Sequence, residues 1–243
     1  MNYYRLLKIS KTILLYTATL IAVILSIAPI VYLLITSFKP AELTFSIPPV
    51  WIFSPTLQNY TDVIIGGEFT KYFLNSLFIA LSATFIAVVL GAFAAYGFAR
   101  FRLRGGFWLR MSVLVPQMLP PITIIVPLYV LFNGMKLTDT PAALIISYLT
   151  FTIPLSVWML IGFFEDVPVE LEESAMIDGC SRFGAFVRIN LPIVTPGLAA
   201  TAILSFLYCW NEFLYAVILT GRDARTLPVT ITSFMTNNRF SKG

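Results

Sequence analysis

Five long apolar runs, at residues 13–37, 72–99, 108–132, 142–164 and 198–220, constrain this sequence more than any other feature. Each is long enough to cross a hydrocarbon core ~30 Å thick at a helical rise of ~1.5 Å per residue. Charged residues make up only 12% of the chain, against roughly 25% in a soluble domain whose surface must be wetted. The expected fold class is an all-α integral membrane protein, a polytopic helical bundle forming a single domain over residues 1–243.

Several function classes fall away at once. The net charge of +4 sits in short segments between apolar runs, not along one face as a nucleic-acid footprint would. Histidine is absent, which removes the commonest metal ligand and general base. No GxxxxGK[ST] loop is present to cradle phosphates. Cys180 and Cys209 lie in a polar loop and in mid-run, depths that favour two lone thiols over a disulfide. The first run is too long for a signal-peptide core and lacks a small-residue cleavage site, so it reads as a retained span.

The loops and prolines add detail. A proline-rich segment at residues 38–70 follows the first run. The third run holds Pro116, Pro120, Pro121 and Pro127, so it is expected to be a kinked span packed inside the bundle. Pro154 is expected to bend the fourth. Orientation follows from the basic residues. Arg5, Lys8 and Lys11 precede the first run, and Arg100, Arg102, Arg104 and Arg110 crowd the short link between the second and third. That dense cluster places the N-terminus and the loop at 165–196 in the cytoplasm.

This loop is the most informative polar segment. Pro168 can open a helix with Glu170, Glu172 and Glu173 near its positive end. Gly179 can end it in a left-handed conformation, and Ser181 can cap a second short helix that Pro192 stops. Leu171, Phe183, Phe186 and Val187 would hold the pair at the membrane surface. An ordinary amphipathic pair lying on lipid remains an alternative. Such helices carry basic polar faces, whereas this loop sets Glu165, Asp166, Glu170, Glu172, Glu173 and Asp178 against Arg182 and Arg188. A protein partner with basic residues is the better match.

The string at 173–192, with Glu173-Ser174-Ala175, then Gly179, Ile189 and Leu191-Pro192, resembles the EAA loop of ABC importer permeases. Ser174 stands where that family usually has alanine. Asn59-Tyr60, Asn75-Ser76, Ala94-Ala95-Tyr96 through Arg100 to Gly105, Pro127-Leu128-Tyr129, Asp178-Gly179 and Trp210-Asn211-Glu212-Phe213 resemble the carbohydrate-uptake branch typified by the maltose permease. The resemblance covers nearly the whole chain and implies a type I importer permease. It implies that Glu172, Glu173, Ser174, Ala175, Asp178, Gly179 and Arg182 couple to a separate ATPase, with Glu173 as acidic contact and Gly179 as bend. The implied partners are a second homologous permease, two ATP-binding cassette subunits, an extracytoplasmic solute-binding protein and a sugar. ATP and Mg2+ would sit on the ATPases, and this chain would bind no cofactor and catalyse nothing.

Polar residues inside spans are expensive and face cavities or partners. Glu212 is the only acidic one. It either borders the translocation path with Asn211 or sits near enough the outer surface to be partly solvated. Asn75 and Gln117 are further path candidates, although helix-to-helix hydrogen bonding is the commoner use of such residues. Trp108, Trp158 and Trp210 serve as interface anchors or sugar-stacking platforms. The polar tail at 221–243 leaves five spans visible, and a sixth helix, usual in the resembled family, is expected to be missing through truncation or loss. A permease for a non-sugar solute and an ion-coupled secondary transporter are the alternatives. The latter class usually carries several intramembrane carboxylates or histidines, and often internal repeats.

Overall fold

The computed structural model describes residues 2–44, 46–65, 68–101 and 104–240, with backbone alone at 2–7, 10 and 234–240. Arg102 of the basic cluster lies outside the described residues, as does the side chain of Arg5. The chain divides into two units, Met1–Glu68 and Phe69–Gly243.

The first unit is built on α1, Asn2–Ser37, which absorbs the first apolar run and continues through Pro29. Two short helices follow, α2 at Ala41–Thr44 and α3 at Gln58–Ile64. Beyond α1 the chain folds back around Lys39, which is only 2% exposed. Its ammonium lies 5.8, 5.9 and 5.5 Å from the rings of Tyr32, Trp51 and Phe53, a cation held by aromatic faces. The Asn59 amide donates to the carbonyls of Ser37 and Lys39, and the hydroxyls of Ser37 and Tyr60 meet at 2.6 Å. The Asn59-Tyr60 pair thus closes this turn.

The second unit centres on α4, Phe69–Arg100, and α7, Pro141–Glu165, with α11, Thr195–Trp210, packed on both. Ala80, Ala83, Ala87, Gly91 and Ala95 are all buried. Their spacing of three or four residues puts them on one face of α4, and small side chains there allow helices to approach closely. Two apolar clusters sit toward opposite ends of α4. One gathers Ile79, Ala83, Leu144, Tyr148 and Leu219. The other gathers Ala95, Tyr96, Leu160, Phe164 and Phe186. Pro154 is accommodated inside the single helix α7.

Two spans differ from expectation. The third run is not one kinked helix but α5, Gly106–Met118, and α6, Pro121–Gly134, bent by 85°. Leu119 and Pro120 each precede a proline and are extended, with ψ of 137° and 134°, because a following proline ring excludes the helical region. Nor is the whole run packed inside: α5 buries no residue, while α6 buries Ile125 and Phe132. The fifth run breaks after α11, and α12, Leu214–Leu219, resumes beyond Phe213. The tail read as polar contains α13, Leu227–Phe240, which packs on α4 and buries Val229 and Thr230. Among the described residues, three helices are long and apolar enough to cross a membrane, or five spans if each bent pair counts as one.

Candidate functional site

The acidic loop folds as two short helices meeting at a bend. Pro168 precedes α8, Val169–Ile177, and Gly179 takes a left-handed φ of 92°, which only glycine adopts without steric penalty. The Ser181 hydroxyl accepts from the Gly184 amide at 3.1 Å and opens α9, Arg182–Ala185. The chain then widens into a π-helical turn, Phe186–Asn190, and runs into α10, Leu191–Ile193. Pro192 does not stop this helix, since it occupies a first-turn position where no intrahelical N–H is required. The break comes at Val194, after which α11 leaves at 74°.

A buried polar cluster fastens this loop to the end of α4. The Arg100 Nε donates to Glu172 Oε2 at 2.9 Å, and both side chains are only 5% exposed. Arg100 Nη2 donates to the Val167 carbonyl at 2.8 Å and to Asn190 Oδ1 at 3.2 Å. The Tyr96 hydroxyl donates to the other oxygen of Glu172, and Asn190 Nδ2 donates to Glu172 Oε2 at 3.2 Å. Both carboxylate oxygens are therefore used, which is the condition for burying a charge without a large penalty. Four side chains from α4, α8 and the π turn form one connected unit.

The residues expected to face a partner divide accordingly. Glu173, Ser174, Asp178, Gly179 and Arg182 are exposed, and Ala175 is half-buried. Arg182 covers the Phe101 ring at 5.1 Å. Glu172 departs from expectation: it points inward to Arg100 and is closed to any partner. Of the four apolar residues expected on the membrane surface, Leu171, Phe183 and Val187 are exposed, whereas Phe186 is buried against Tyr96 and Phe164.

At the opposite end of α4, Asp139 holds another loop. Its carboxylate accepts from the amides of Gly221, Arg222, Asp223 and Ala224 at 2.8–3.2 Å. Burial opposes its charge, but the backbone N–H groups of Ala224, Asp223, Gly221 and Arg222 outweigh that and lower its pKa. Asn75 belongs to this assembly and does not line the cavity: its amide donates to the carbonyls of Asp223 and Arg225 at 2.7 and 3.2 Å. Ser76 beside it accepts from the Leu227 amide.

The other path candidates do converge. Gln117, Asn211 and Glu212 line a cavity of about 780 Å³ with Phe151, Leu155 and Tyr208, within the size range of small-molecule pockets. Asn211 and Glu212 occupy the break between α11 and α12. The Glu212 carboxylate accepts from the amides of Tyr215 and Ala216 at 2.9 and 3.1 Å, capping α12. Cys180 and Cys209 are both free thiols. Among the described residues no three His, Cys, Asp or Glu side chains gather as a metal site.

Sequence reasoning missed Arg100 and Asn190 as loop holders, and Asp139 altogether. Arg100 was legible as a topology charge and as part of the run resembling the carbohydrate-uptake branch, but not as a partner of the loop, although it follows Tyr96 by one helical turn and closes an apolar helix. Asp139 is a single acid in a short link, and its partners lie some eighty residues downstream as backbone amides, which no side-chain pattern announces.

These features define a class, a multi-pass helical membrane protein that carries an acidic pair of short helices at one end. The chain belongs to the family described as binding-protein-dependent transport system inner membrane component, whose model matches residues 87–241. It is 35% identical over 218 residues to the trehalose transport system permease SugB of Mycobacterium tuberculosis, covering 89% of this chain and 79% of the relative. It is 34% identical over 230 residues to the trehalose/maltose transport system permease MalG of Thermococcus litoralis, covering 93% and 82%. A solved chain of a bacterial ABC transporter that imports the acidic polysaccharide alginate has the same fold, with a TM-score of 0.74 at 19% identity over 96% of this chain and 80% of that one.

Proposed function

We propose that the chain is one permease subunit of an ATP-driven importer of sugars or short oligosaccharides, assembled with a second homologous permease, two ATPase subunits and an extracytoplasmic solute-binding protein. The observation that supports this most is the face of α8, where Glu173, Ser174 and Asp178 are exposed on a helix whose inner residue Glu172 is fixed to a spanning helix. An acidic helix end on a rigid mount suits a basic cleft on a motor subunit. ATP and Mg2+ then act on the partner, and this chain converts its partner's movement into a rigid-body shift of α4, α7 and α11.

With the N-terminus in the cytoplasm, the segment Val169–Asn190 faces the ATPases and the Asp139 loop faces outward. Gln117, Asn211 and Glu212 border the path, the last two at the helix break that lines the cavity. Relatives named for trehalose and maltose transport support the sugar class. A solved alginate transporter in complex with a periplasmic protein bearing an alginate pentasaccharide supports the binding-protein partner.

The test is affinity purification of the tagged chain from its native membrane, identification of what comes with it, and uptake of labelled trehalose and maltose by the reconstituted complex. Uptake should stop when ATP is depleted at constant membrane potential. Uptake that instead follows an imposed ion gradient without ATP would assign the chain to ion-coupled transport.

A further inference from the structure

The Arg100–Glu172 pair lies between the docking segment and the bundle, and neither side chain faces a partner or the cavity. Three groups converge on the Glu172 carboxylate, from Tyr96 and Arg100 on α4 and from Asn190 on the π turn. Arg100 also reaches Val167, just ahead of α8, and so grips the loop on both sides of that helix. Aromatic packing reinforces the same junction: Phe186 sits 4.7 Å from Tyr96 and 6.0 Å from Phe164, and Phe93 stacks on Phe183 at 6.5 Å. Among the described residues of this unit, no other pair of oppositely charged side chains is as enclosed. The Lys71–Asp223 and Arg110–Glu165 pairs are both substantially exposed.

We infer that Arg100 and Glu172 are positioning residues for coupling: they make the docking segment and α4 a single rigid body, so that a displacement of α8 becomes a displacement of α4. This rests on the importer reading above. An apolar contact alone resists separation but tolerates sliding, whereas a carboxylate held from three directions fixes orientation as well. A loop that flexed on its mount would absorb the motor's stroke.

Two measurements test it, both in the complete transporter. In the first, Phe93→Cys and Phe183→Cys are introduced in a chain lacking Cys180 and Cys209, and a short bifunctional thiol reagent joins α4 to α9 with the polar cluster untouched. Cross-linked complexes should transport and hydrolyse ATP as the same double-cysteine complexes do before the reagent is added. Loss of uptake on cross-linking, with the subunits still assembled, would show that α4 and the loop must move apart and would overturn the inference. In the second, Arg100→Gln and Glu172→Gln should leave ATPase subunits bound while solute moved per ATP falls by roughly tenfold, the scale of an inter-site coupling free energy. Arg100→Lys, which restores the charge but not the fork, should recover part of it. Unchanged solute per ATP in both glutamine variants would also overturn it. Failure of the unaltered chain to retain any ATPase would instead remove the importer reading, which separates the two ideas.

Discussion

Gly91 of α4 lies against Ser156 of α7 with no room for a methyl group: a Cβ at Gly91 would sit 2.5 Å from Ser156 Cβ and 3.2 Å from the Ser156 backbone carbonyl carbon. Backbone cannot swing aside as a side chain can, so the two helices would have to part. Gly91→Ala is expected to destabilise the bundle by about 1–3 kcal/mol, the range for overpacking a close contact. Thermal unfolding of the purified chain in detergent measures this. Gly97→Ala on the same helix, where a Cβ meets nothing within 4 Å, should leave the midpoint unchanged or raise it, since alanine favours a helix interior over glycine by about 0.5–1 kcal/mol.

The Asp139 clasp gives a pH dependence whose sign is fixed by its lowered pKa. A carboxyl whose folded pKa lies below its unfolded value stabilises the fold above the unfolded value, and the contribution disappears as pH falls toward the folded one. With an unfolded value of about 3.9, wild type should lose stability below about pH 4 through this group. Asp139→Asn should be less stable at neutral pH and flatter across that acid window. Melting curves from pH 7 to pH 3 for the two chains provide the comparison, and parallel curves would exclude the clasp as a titrating contact.

At the docking face, Glu173→Ala removes an exposed charge and should weaken ATPase association without affecting insertion. Gly179→Ala should also impair it, because left-handed backbone costs an L-residue about 1–2 kcal/mol, and Gly179→Val should do more. Space is not the problem at Gly179, where a Cβ would meet nothing within 4 Å. Co-purification of ATPase and solute-stimulated hydrolysis are the measurements. Glu165→Ala is a fair control: its bond to Arg110 at 2.7 Å is partly exposed, and such pairs contribute about 0–1 kcal/mol.

Orientation is open to direct measurement. In a chain lacking Cys180 and Cys209, Glu173→Cys should react with an impermeant thiol reagent only from the cytoplasmic side. Ile52→Cys, at a position 93% exposed, should react only from outside. Labelling of both from one side would reverse or break the proposed topology.

What the sequence revealed and what it concealed follow one physical division. Signals carried by local chemistry were legible. Gly179 at positive φ, Ser181 as a cap and the paired short helices could all be read from residue types and spacing. Features made by distant contacts were not. Glu172 and Glu173 are neighbours of the same type, yet one is buried on Arg100 and the other is exposed, and only the fold decides which. The same limit left Asn75 open between path and packing, and its amide is occupied by the carbonyls of a loop far along the chain. The prolines of the third run were noticed individually, but the Pro120-Pro121 doublet forces two successive extended residues and so a sharp turn. The helix within the polar tail was not legible either, because it rests on the burial of Val229 and Thr230 against α4, a contact no local signal announces.

The π turn at Phe186–Asn190 has a consequence for angular register. An α-helix advances about 100° per residue, and a π turn takes in one residue more than an α turn. The stretch Arg182–Ile193 therefore carries a phase step of about that size between α9 and α10. Asn190 faces Glu172 on one side of the step, while Phe183 and Arg182 keep their own facing on the other. The wide turn takes up one extra residue while its flanks keep their facing, so removing one exposed residue there, Val187 or Arg188, would return it to α geometry with the two ends still in register. A one-residue deletion is thus expected to be milder at the π turn than inside α8, where no wide turn takes up the lost rotation of about 100°.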